Sequence, residues 1–592
     1  MLAPTTSAEL LEHRLGDPLD PATVFSFARS LEYDERDEFP APLIALVQDF
    51  KLQEYFVPSA CGGKLESFEE ALCLMRVVSR RDLTVAIALG QTFLGAMHVW
   101  IKGSEEQKAR VSQLIRQGKL MAFALTERTH GGDILAGEVH ARATDGGYLL
   151  SGEKWLINNA KNAEALTVFA RTDPKGGARG FSVFLVEKSR LRPHEFSVLP
   201  KVKTHGIRGA DISGIRFNSA FLPVNSLIGE LGSGFETALR TLSVTRILCA
   251  AFSLGAVDTA LRATLDFALN RRIFGGTVFD IPHARRLLLE SFVDLLICEC
   301  VARAAARAIH VIPDQSSVWS AITKYFVPVT AERAVQTLGV VLGARFYLRE
   351  DHWSGIFQKL LRDNAVVGLF DGSTEVSLGM LTLQLVRVLA ARRPTLSHPI
   401  RSGAGVEKLF SMGESLPPFD PDKLELTAHG RNTLLDSLPL ALDQLETGLA
   451  VDGTAADVIE ELGRQTRLTV NELSNEAQTL SALLRRDGQV HKNAETFDVA
   501  KRYCALHAAV ACLQYWLTNR RQLPVPFAGG EWVVLAMQRL LGLRSLDVTS
   551  RFANSVIEGL LGLHDSGALF STNPFKLPSA RHAFATHQAA EK

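Results

Sequence analysis

The spacing of hydrophobic residues changes character along the chain, and the changes divide it. In FEEALCLMRVVSRRDLTVAIALG, residues 68–90, apolar positions return every three and four residues, which predicts helix with Gly90 as a stop. Residues 1–120 read as helical throughout. From 121 to 231 the pattern shortens into HARAT, YLLSG, LTVFAR, FSVFLV and IRFNSAF, separated by DGG, DPKGG and similar turn clusters. β-Branched and aromatic residues in short, turn-bounded runs predict an antiparallel strand domain. Helical spacing resumes over 232–392, where a long periodic run closes on Arg271, Arg272, Gly275 and Gly276, a helix stop signal. Residues 393–421, with their Pro, Ser and Gly, read as a linker, and 422–592 are again mostly helical. Within that last part CALHAAVACLQYWL, 504–517, is apolar almost all round, as in a buried core helix. It lacks the Lys/Arg-rich polar face of a membrane-docking helix.

Composition narrows the class. A chain of 592 residues exceeds one ordinary core, so two to four structural units are expected. Lys+Arg and Asp+Glu both total 64, and zero net charge gives no electrostatic footprint for nucleic acid or an anionic membrane. The start has no basic segment followed by an apolar core, so no secretory signal is expected. No run of about 18 apolar residues is free of charges, so no transmembrane segment is expected either. Seven scattered cysteines, with no C-x-x-C and no metal-ligand spacing, suit a reducing cytoplasm and exclude an evident metal site.

Four segments carry candidate chemistry. FALTERTHGGD, 123–133, offers a turn whose Thr126 hydroxyl and glycines can approach a flat heterocycle; Thr126 and Glu127 also suit plain turn positions. SGEKWLINNA, 151–160, offers Trp155 to cover an aromatic ring and Asn158 to donate to a ring atom, or simply a strand with a core tryptophan. RRIFGG, 271–276, offers Arg271 to a pyrophosphate, or a helix-terminal charge. QKLLRDNAVVGLFDGSTEV, 358–376, places Asp371 after an apolar run, where a raised pKa would suit a general base; the alternative is that Asp371 caps the helix beginning near Ser373.

Taken together and in order, these segments resemble the acyl-CoA dehydrogenase family over roughly residues 20–390. VPSACGG, GSEEQKARVSQLIRQGKLMAFALTE, GIRGADISGIRF and LPVNSLIGELGSGFETAL add to the resemblance. It implies an N-terminal helical domain, a middle β-barrel-like domain and a C-terminal four-helix bundle, with FAD extended between the last two. At matching positions Leu125, Thr126 and Gly132 meet the flavin. Asn158 lies near its N5, and Trp155 lies alongside the ring. Arg271, Phe274, Gln336 and Gly339 reach the FAD of a neighbouring subunit. Ser373 and Glu375 touch the cofactor near a helix start. Phe123, Arg246, Phe370 and Gly372 fall at the substrate, and Asp371 falls on the family's catalytic glutamate.

There are departures. The base is one methylene shorter than glutamate. The tryptophan-isoleucine-threonine triplet reads Leu156-Ile157-Asn158, a usual serine is Gly132, and the usual glycine pair after Gln336 reads GVVLG. The family's alternative base position holds Thr245, which cannot serve. The implied activity is α,β-desaturation of an acyl thioester, on CoA or on an acyl carrier protein, with an electron acceptor such as electron-transfer flavoprotein. Because nitroalkane oxidases resemble the family and use Asp, a flavin oxidase or oxygenase is the alternative, ahead of a non-catalytic scaffold. The extra C-terminal part resembles in placement that of very-long-chain acyl-CoA dehydrogenases and predicts a homodimer.

Overall fold

Local competition for backbone N–H groups decides where the first helices break. The computed structural model describes residues 6–390, 404–448, 454–488, 493–543 and 545–578. Six helices precede the first strand: Ser7–Leu15, Phe27–Glu35, Ala41–Asp49, Phe68–Arg81, Leu83–Lys102 and Glu105–Arg116. The expected stop at Gly90 is corrected, because the break falls at Asp82. There the backbone is extended, and the carboxylate caps the next helix by accepting the N–H of Thr84 at 2.7 Å. Gly90 lies inside that helix, where a Cβ would meet Cζ of Phe252 at 3.0 Å. A mid-helix glycine costs about 1 kcal/mol, an amount that packing offsets here.

Asp82 is also one end of a buried ionic junction. Lys359 donates to Asp82 at 3.0 Å and to Asp363 at 2.5 Å, and Asp363 accepts the backbone N–H of Ile207 at 2.6 Å. Burial works against the ammonium charge, but the Asp363 and Asp82 charges outweigh it and hold the Lys359 pKa above its ordinary value.

The strand domain comprises β1 (Met121–Ala124), β2 (His140–Thr144), β3 (Gly147–Asn158), β4 (Ala165–Arg171), β5 (Phe181–Glu187), β6 (Phe196–Leu199), β7 (Ile212–Pro223) and β8 (Leu227–Ile228). They form one sheet in the order β6-β7-β3-β2-β4-β5-β8, with β1 also on β4. Pairing is antiparallel except that β1 and β2 run parallel to β4, which corrects the all-antiparallel expectation. β1 and β4 are separated by the β2–β3 hairpin, and such a crossover permits parallel pairing.

Helices Gly234–Leu248, Ala250–Asn270, Pro282–Val311 and Ser316–Leu342 follow, with Thr374–Ala390 packed on the last. The long run from 234 is thus interrupted by a single irregular turn at Cys249. The Gly275–Gly276 pair does not cap it. Arg272–Ile273 pairs with Gly276–Thr277 in a hairpin whose turn residues, Phe274 and Gly275, have φ of 52° and 83°. Two of these stretches, Leu83–Lys102 and Gly234–Asn270, are long and apolar enough to cross a membrane, but 94% and 100% of their most apolar windows are buried in the protein itself. Of the expected linker, 393–403 lie outside the described residues, and Ala404–Phe410 is helical rather than open chain, with Leu409 and Phe410 buried.

The C-terminal part adds Ala456–Asp487, Ala494–Asn519, Glu531–Leu540 and Arg551–Asp565. Ala494–Asn519 is a core helix, packed on Pro282–Val311 as well as on its own neighbours. Beyond these helices, residues 568–572 enter the bundle. Arg76 donates to the Phe570 carbonyl at 2.8 Å, the Phe570 N–H donates to Asp258 at 3.1 Å, and the Thr572 N–H donates to Glu299 at 3.1 Å. The same acids pair with Arg80 (2.7 Å to Asp258) and Arg76 (3.2 Å to Glu299).

Lys359→Met should leave Asp82 and Asp363 buried without their cation. The expected loss is about 3–5 kcal/mol, read as a lower urea midpoint; an unchanged midpoint would show that the junction contributes nothing.

Candidate active site

The turn before the Thr374–Ala390 helix carries Asp371, and its backbone conformation is demanding. Asp371 and Gly372 have φ of 55° and 84°, the left-handed region that side chains other than glycine's resist. Arg246 fixes the turn: its Nε donates to the Asp371 carbonyl at 2.5 Å, and a Cβ on Gly372 would meet Nη2 at 2.4 Å. Gly372 is therefore required both by conformation and by the guanidinium lying against it. The reading of Asp371 as a helix cap is corrected, because the Ser373 hydroxyl accepts the Val376 N–H at 3.2 Å and caps the helix itself.

Asp371 instead lines a cavity of about 30 Å³, whose wall is mainly Phe56, Met75, Phe93, Leu248, Phe252 and Phe370. Burial raises its pKa; Lys324, Arg246 and then the Cys249 thiol, which donates to Oδ2 at 3.5 Å, pull it partly back. Lys324 is buried, donates to the Val367 carbonyl at 2.5 Å and sits 5.2 Å from the centre of the Phe370 ring. The result is a carboxyl group that holds its proton at higher pH than an exposed aspartate, beside an apolar slot. That is how a general base for carbon acids is tuned. Among the described residues the Asp371 N–H has no acceptor in the chain, so it can donate to a ligand carbonyl.

The first two segments meet one another. The Thr126 hydroxyl donates to the Trp155 carbonyl at 2.8 Å, and the Trp155 N–H donates to the Thr126 carbonyl at 3.0 Å. Glu127 is no ordinary turn residue: it is buried, accepts Lys154 at 2.8 Å and also accepts the N–H groups of Glu138 and Val139. Lys154 gives a second hydrogen bond to the Leu125 carbonyl, and burial pushes its pKa down to about 8 against the pull of Glu127. A bulge in β3 between Trp155 and Ile157 turns Leu156 outward (φ 56°, 44% exposed). Trp155 carries the Arg128 guanidinium 4.5 Å above its ring. Asn158 is half-buried at the end of β3, and the buried Asn159 beside it is anchored to the Ala88 carbonyl at 2.7 Å. A Cβ on Gly132 would lie 3.9 Å from Val376, so the loop after Thr126 reaches the helix that follows Asp371. Phe123 is buried on β1, 4.1 Å ring to ring from His98, and is not part of the cavity wall.

Leu156, Gly131, Gly132, Glu375 and Val376 are all exposed, so the surface around these segments is open to a ligand. The remaining residues stand apart. Arg271 is exposed, and Phe274 at the hairpin tip is 94% exposed. Gln336 is exposed and Gly339 buried on Ser316–Leu342. An aromatic side chain so exposed is suited to a surface outside its own chain.

Comparison with known proteins decides the family. Residues 27–119, 122–220 and 232–385 match the N-terminal, middle and C-terminal domains of acyl-CoA dehydrogenase. The chain belongs to the acyl-CoA dehydrogenase family. A probable acyl-CoA dehydrogenase of Mycobacterium leprae, fadE25, is 28% identical over 358 residues, 60% of this chain and 90% of that protein. The fold of butyryl-CoA dehydrogenase from Megasphaera elsdenii matches with a TM-score of 0.59 at 24% identity, covering 65% of this chain and 100% of that one. An acyl-CoA dehydrogenase from Bacillus anthracis, solved with FAD, matches with 0.67 at 18% identity and covers 94% of this chain and 90% of that one, so its fold extends over the C-terminal part as well.

Within an acyl-CoA dehydrogenase framework, four neighbours of Asp371 escaped the sequence reading. Cys249, Lys324 and Gly90 were given no chemical role, and Thr245 was set aside as unable to act as a base. Cys249 had a signal: it stands three residues after Arg246, one helical turn along the same face. Lys324 had none, since only the fold brings it to Phe370. Among the described residues no group of His, Cys, Asp and Glu could hold a metal ion, and all seven cysteines are free.

Removing the thiol should move the Asp371 titration. Because Cys249 stabilises the charged carboxylate, Cys249→Ala should raise its midpoint further, while Cys249→Ser should hold it near wild type. Carboxyl carbon NMR, with Asp371→Asn to identify the signal, measures this; a wild-type midpoint at or below the ordinary value of about 4 would contradict the geometry.

Proposed function

We propose that this acyl-CoA dehydrogenase family member desaturates the α,β bond of an acyl thioester, with Asp371 as the base. The observation that carries the reading is a carboxylate of raised pKa at an apolar cavity, with an unengaged backbone N–H on the same residue. The thioester carbonyl acidifies the α-carbon, and Asp371 takes that proton. The Asp371 N–H donates to the carbonyl oxygen and stabilises the enolate-like charge as an oxyanion hole does. Arg246 holds the turn that aims both groups, and Lys324 and Cys249 keep the base from staying protonated.

The cofactor is FAD, which when bound supplies the acceptor for the β-hydride. Leu125, Thr126, Gly132, Trp155, Asn158, Ser373 and Glu375 would hold it. Arg271, Phe274, Gln336 and Gly339 would serve the FAD of a second chain, which supports a homodimer. The thiol carrier is CoA or an acyl carrier protein, and the electron acceptor is of the electron-transfer flavoprotein kind. The setting is a reducing cytoplasm, which the free cysteines suit.

Asp371→Asn should retain FAD and thioester but slow anaerobic flavin reduction by about 10²–10⁴-fold, the range for losing a general base. Full reduction by that variant sinks the proposal. Rapid reoxidation of the reduced wild type by air, with peroxide release, would instead identify an oxidase on the same scaffold.

The protein should have twice the chain mass by light scattering. Arg271→Ala should weaken FAD retention by about 1.5–3 kcal/mol through loss of a charge-assisted contact. Unchanged retention would remove the hairpin from the cofactor site.

A further inference from the structure

One buried cation grips a backbone carbonyl whose own peptide N–H is free. Lys154 donates to the Leu125 carbonyl at 2.7 Å and to Glu127 at 2.8 Å, and its ammonium sits 5.8 Å from the centre of the Phe169 ring. Glu127 is held in turn by the N–H groups of Glu138 and Val139, at 2.6 and 3.1 Å. Burial lowers the Lys154 pKa and Glu127 pulls it back, so that at about 8 the side chain is still cationic at neutral pH.

The carbonyl in question belongs to the Leu125–Thr126 peptide. A trans peptide is planar, with its C=O and N–H pointing in opposite directions, so the Thr126 N–H points away from the ammonium. That N–H has no acceptor among the described residues. Thr126 is otherwise clamped, because its carbonyl accepts the Trp155 N–H at 3.0 Å and its hydroxyl donates to the Trp155 carbonyl at 2.8 Å. A cation on a carbonyl oxygen draws electrons from the amide nitrogen, and hydrogen bonds linked in this way strengthen one another. The Thr126 N–H is therefore a donor fixed in direction and strengthened from behind, at a half-buried position.

We propose that Lys154 is a positioning residue for the flavin, acting through the Leu125–Thr126 peptide to aim the Thr126 N–H at a carbonyl of the flavin's pyrimidine ring and so favour the reduced cofactor. The inference rests on the reading above that Leu125 and Thr126 hold FAD. Reduction adds negative charge to the pyrimidine end of a flavin, and charge near that end tunes the cofactor. A fixed donor backed by a cation stabilises the charged ring more than the neutral one, as preorganised dipoles do wherever charge develops. A lysine present only to neutralise Glu127 accounts for the 2.8 Å contact. It does not account for the second hydrogen bond, to the one carbonyl whose peptide leaves its N–H for a ligand.

The test uses the full-length protein loaded with FAD that is carbon-13-labelled at both pyrimidine carbonyls. No thioester is added, so the result is independent of the dehydrogenase reaction. The flavin midpoint potential against a reference dye at pH 7 and the labelled carbon signals are read for wild type, Lys154→Met and Lys154→Arg. In the methionine variant the ratio of oxidised to reduced flavin at fixed dye potential should rise at least tenfold, a fall of about 30 mV for two electrons. One carbonyl signal should also move towards its position in free FAD. The arginine variant, which keeps a cation, should stay nearer to wild type in both readouts. A methionine variant with wild-type potential, or with unmoved carbonyl signals, overturns the proposal and leaves the flavin site standing. Wild-type signals that coincide with those of free FAD overturn the placement of Leu125 and Thr126 at the flavin as well. Because methionine leaves Glu127 buried without its cation, the double variant Glu127→Gln/Lys154→Met, which removes both charges together, is read beside it. Where the single variant cannot hold FAD, the double variant decides by the same criteria.

Discussion

Lys359 stands where three parts of the protein meet. Its ammonium joins Asp82, the cap of Leu83–Lys102, to Asp363, whose other oxygen takes the N–H of Ile207 from the segment before β7. Two carboxylates buried side by side are tolerable only with a cation between them. The site inherits its geometry from that arrangement. The helix started by Asp82 carries Gly90, Gln91 and Leu94 to the cavity, and the chain leaving Asp363 arrives there as Phe370 and Asp371. If either helix turned or slid, the slot would lose a wall.

At Asp371 itself, opposing influences are balanced by position. Desolvation pushes the proton on; two buried cations and a thiol pull it off, none of them in a direct ion pair with the carboxylate. Lys324 is tied to the Val367 carbonyl and Arg246 to the carbonyl of Asp371. Held by backbone oxygens, these cations act through the field without capturing the carboxylate, which stays available to a substrate proton. The left-handed turn at Asp371 and Gly372 is strained, and Arg246 is what keeps it.

What the sequence made legible follows from how local each cause is. The strand domain could be read because its runs are closed by turns within a few residues, such as the one joining β2 to β3. The resemblance located Asp371, Thr126 and Trp155, and the fold does bring Thr126 against Trp155. The cap at Asp82 is a local signal that the glycine at 90 overshadowed, but its second partner, Lys359, lies 277 residues away and only the fold brings it there. Cys249 had its spacing from Arg246 as a signal, but its partner Asp371 lies 122 residues on and only the fold shows the contact. The parallel pairing of β1 with β4 was missed for a similar reason, since strand direction depends on how the chain crosses between them rather than on the strand's own residues.

The insertion of residues 568–572 into the bundle has a consequence in time. A ribosome delivers Arg76, Asp258 and Glu299 long before it delivers Phe570 and Thr572, and domains ordinarily fold as they emerge. Here the dehydrogenase bundle can collapse early, yet Asp258, Glu299 and Arg262 gain backbone partners at Phe570, Thr572 and Ala568 only when that late segment threads in. Until then a seam of half-satisfied charge stays open in the middle of an otherwise finished core. A message broken shortly before that segment would yield a chain with every residue of the candidate site present and a marked weakness at its centre, one that a cell's proteases can recognise.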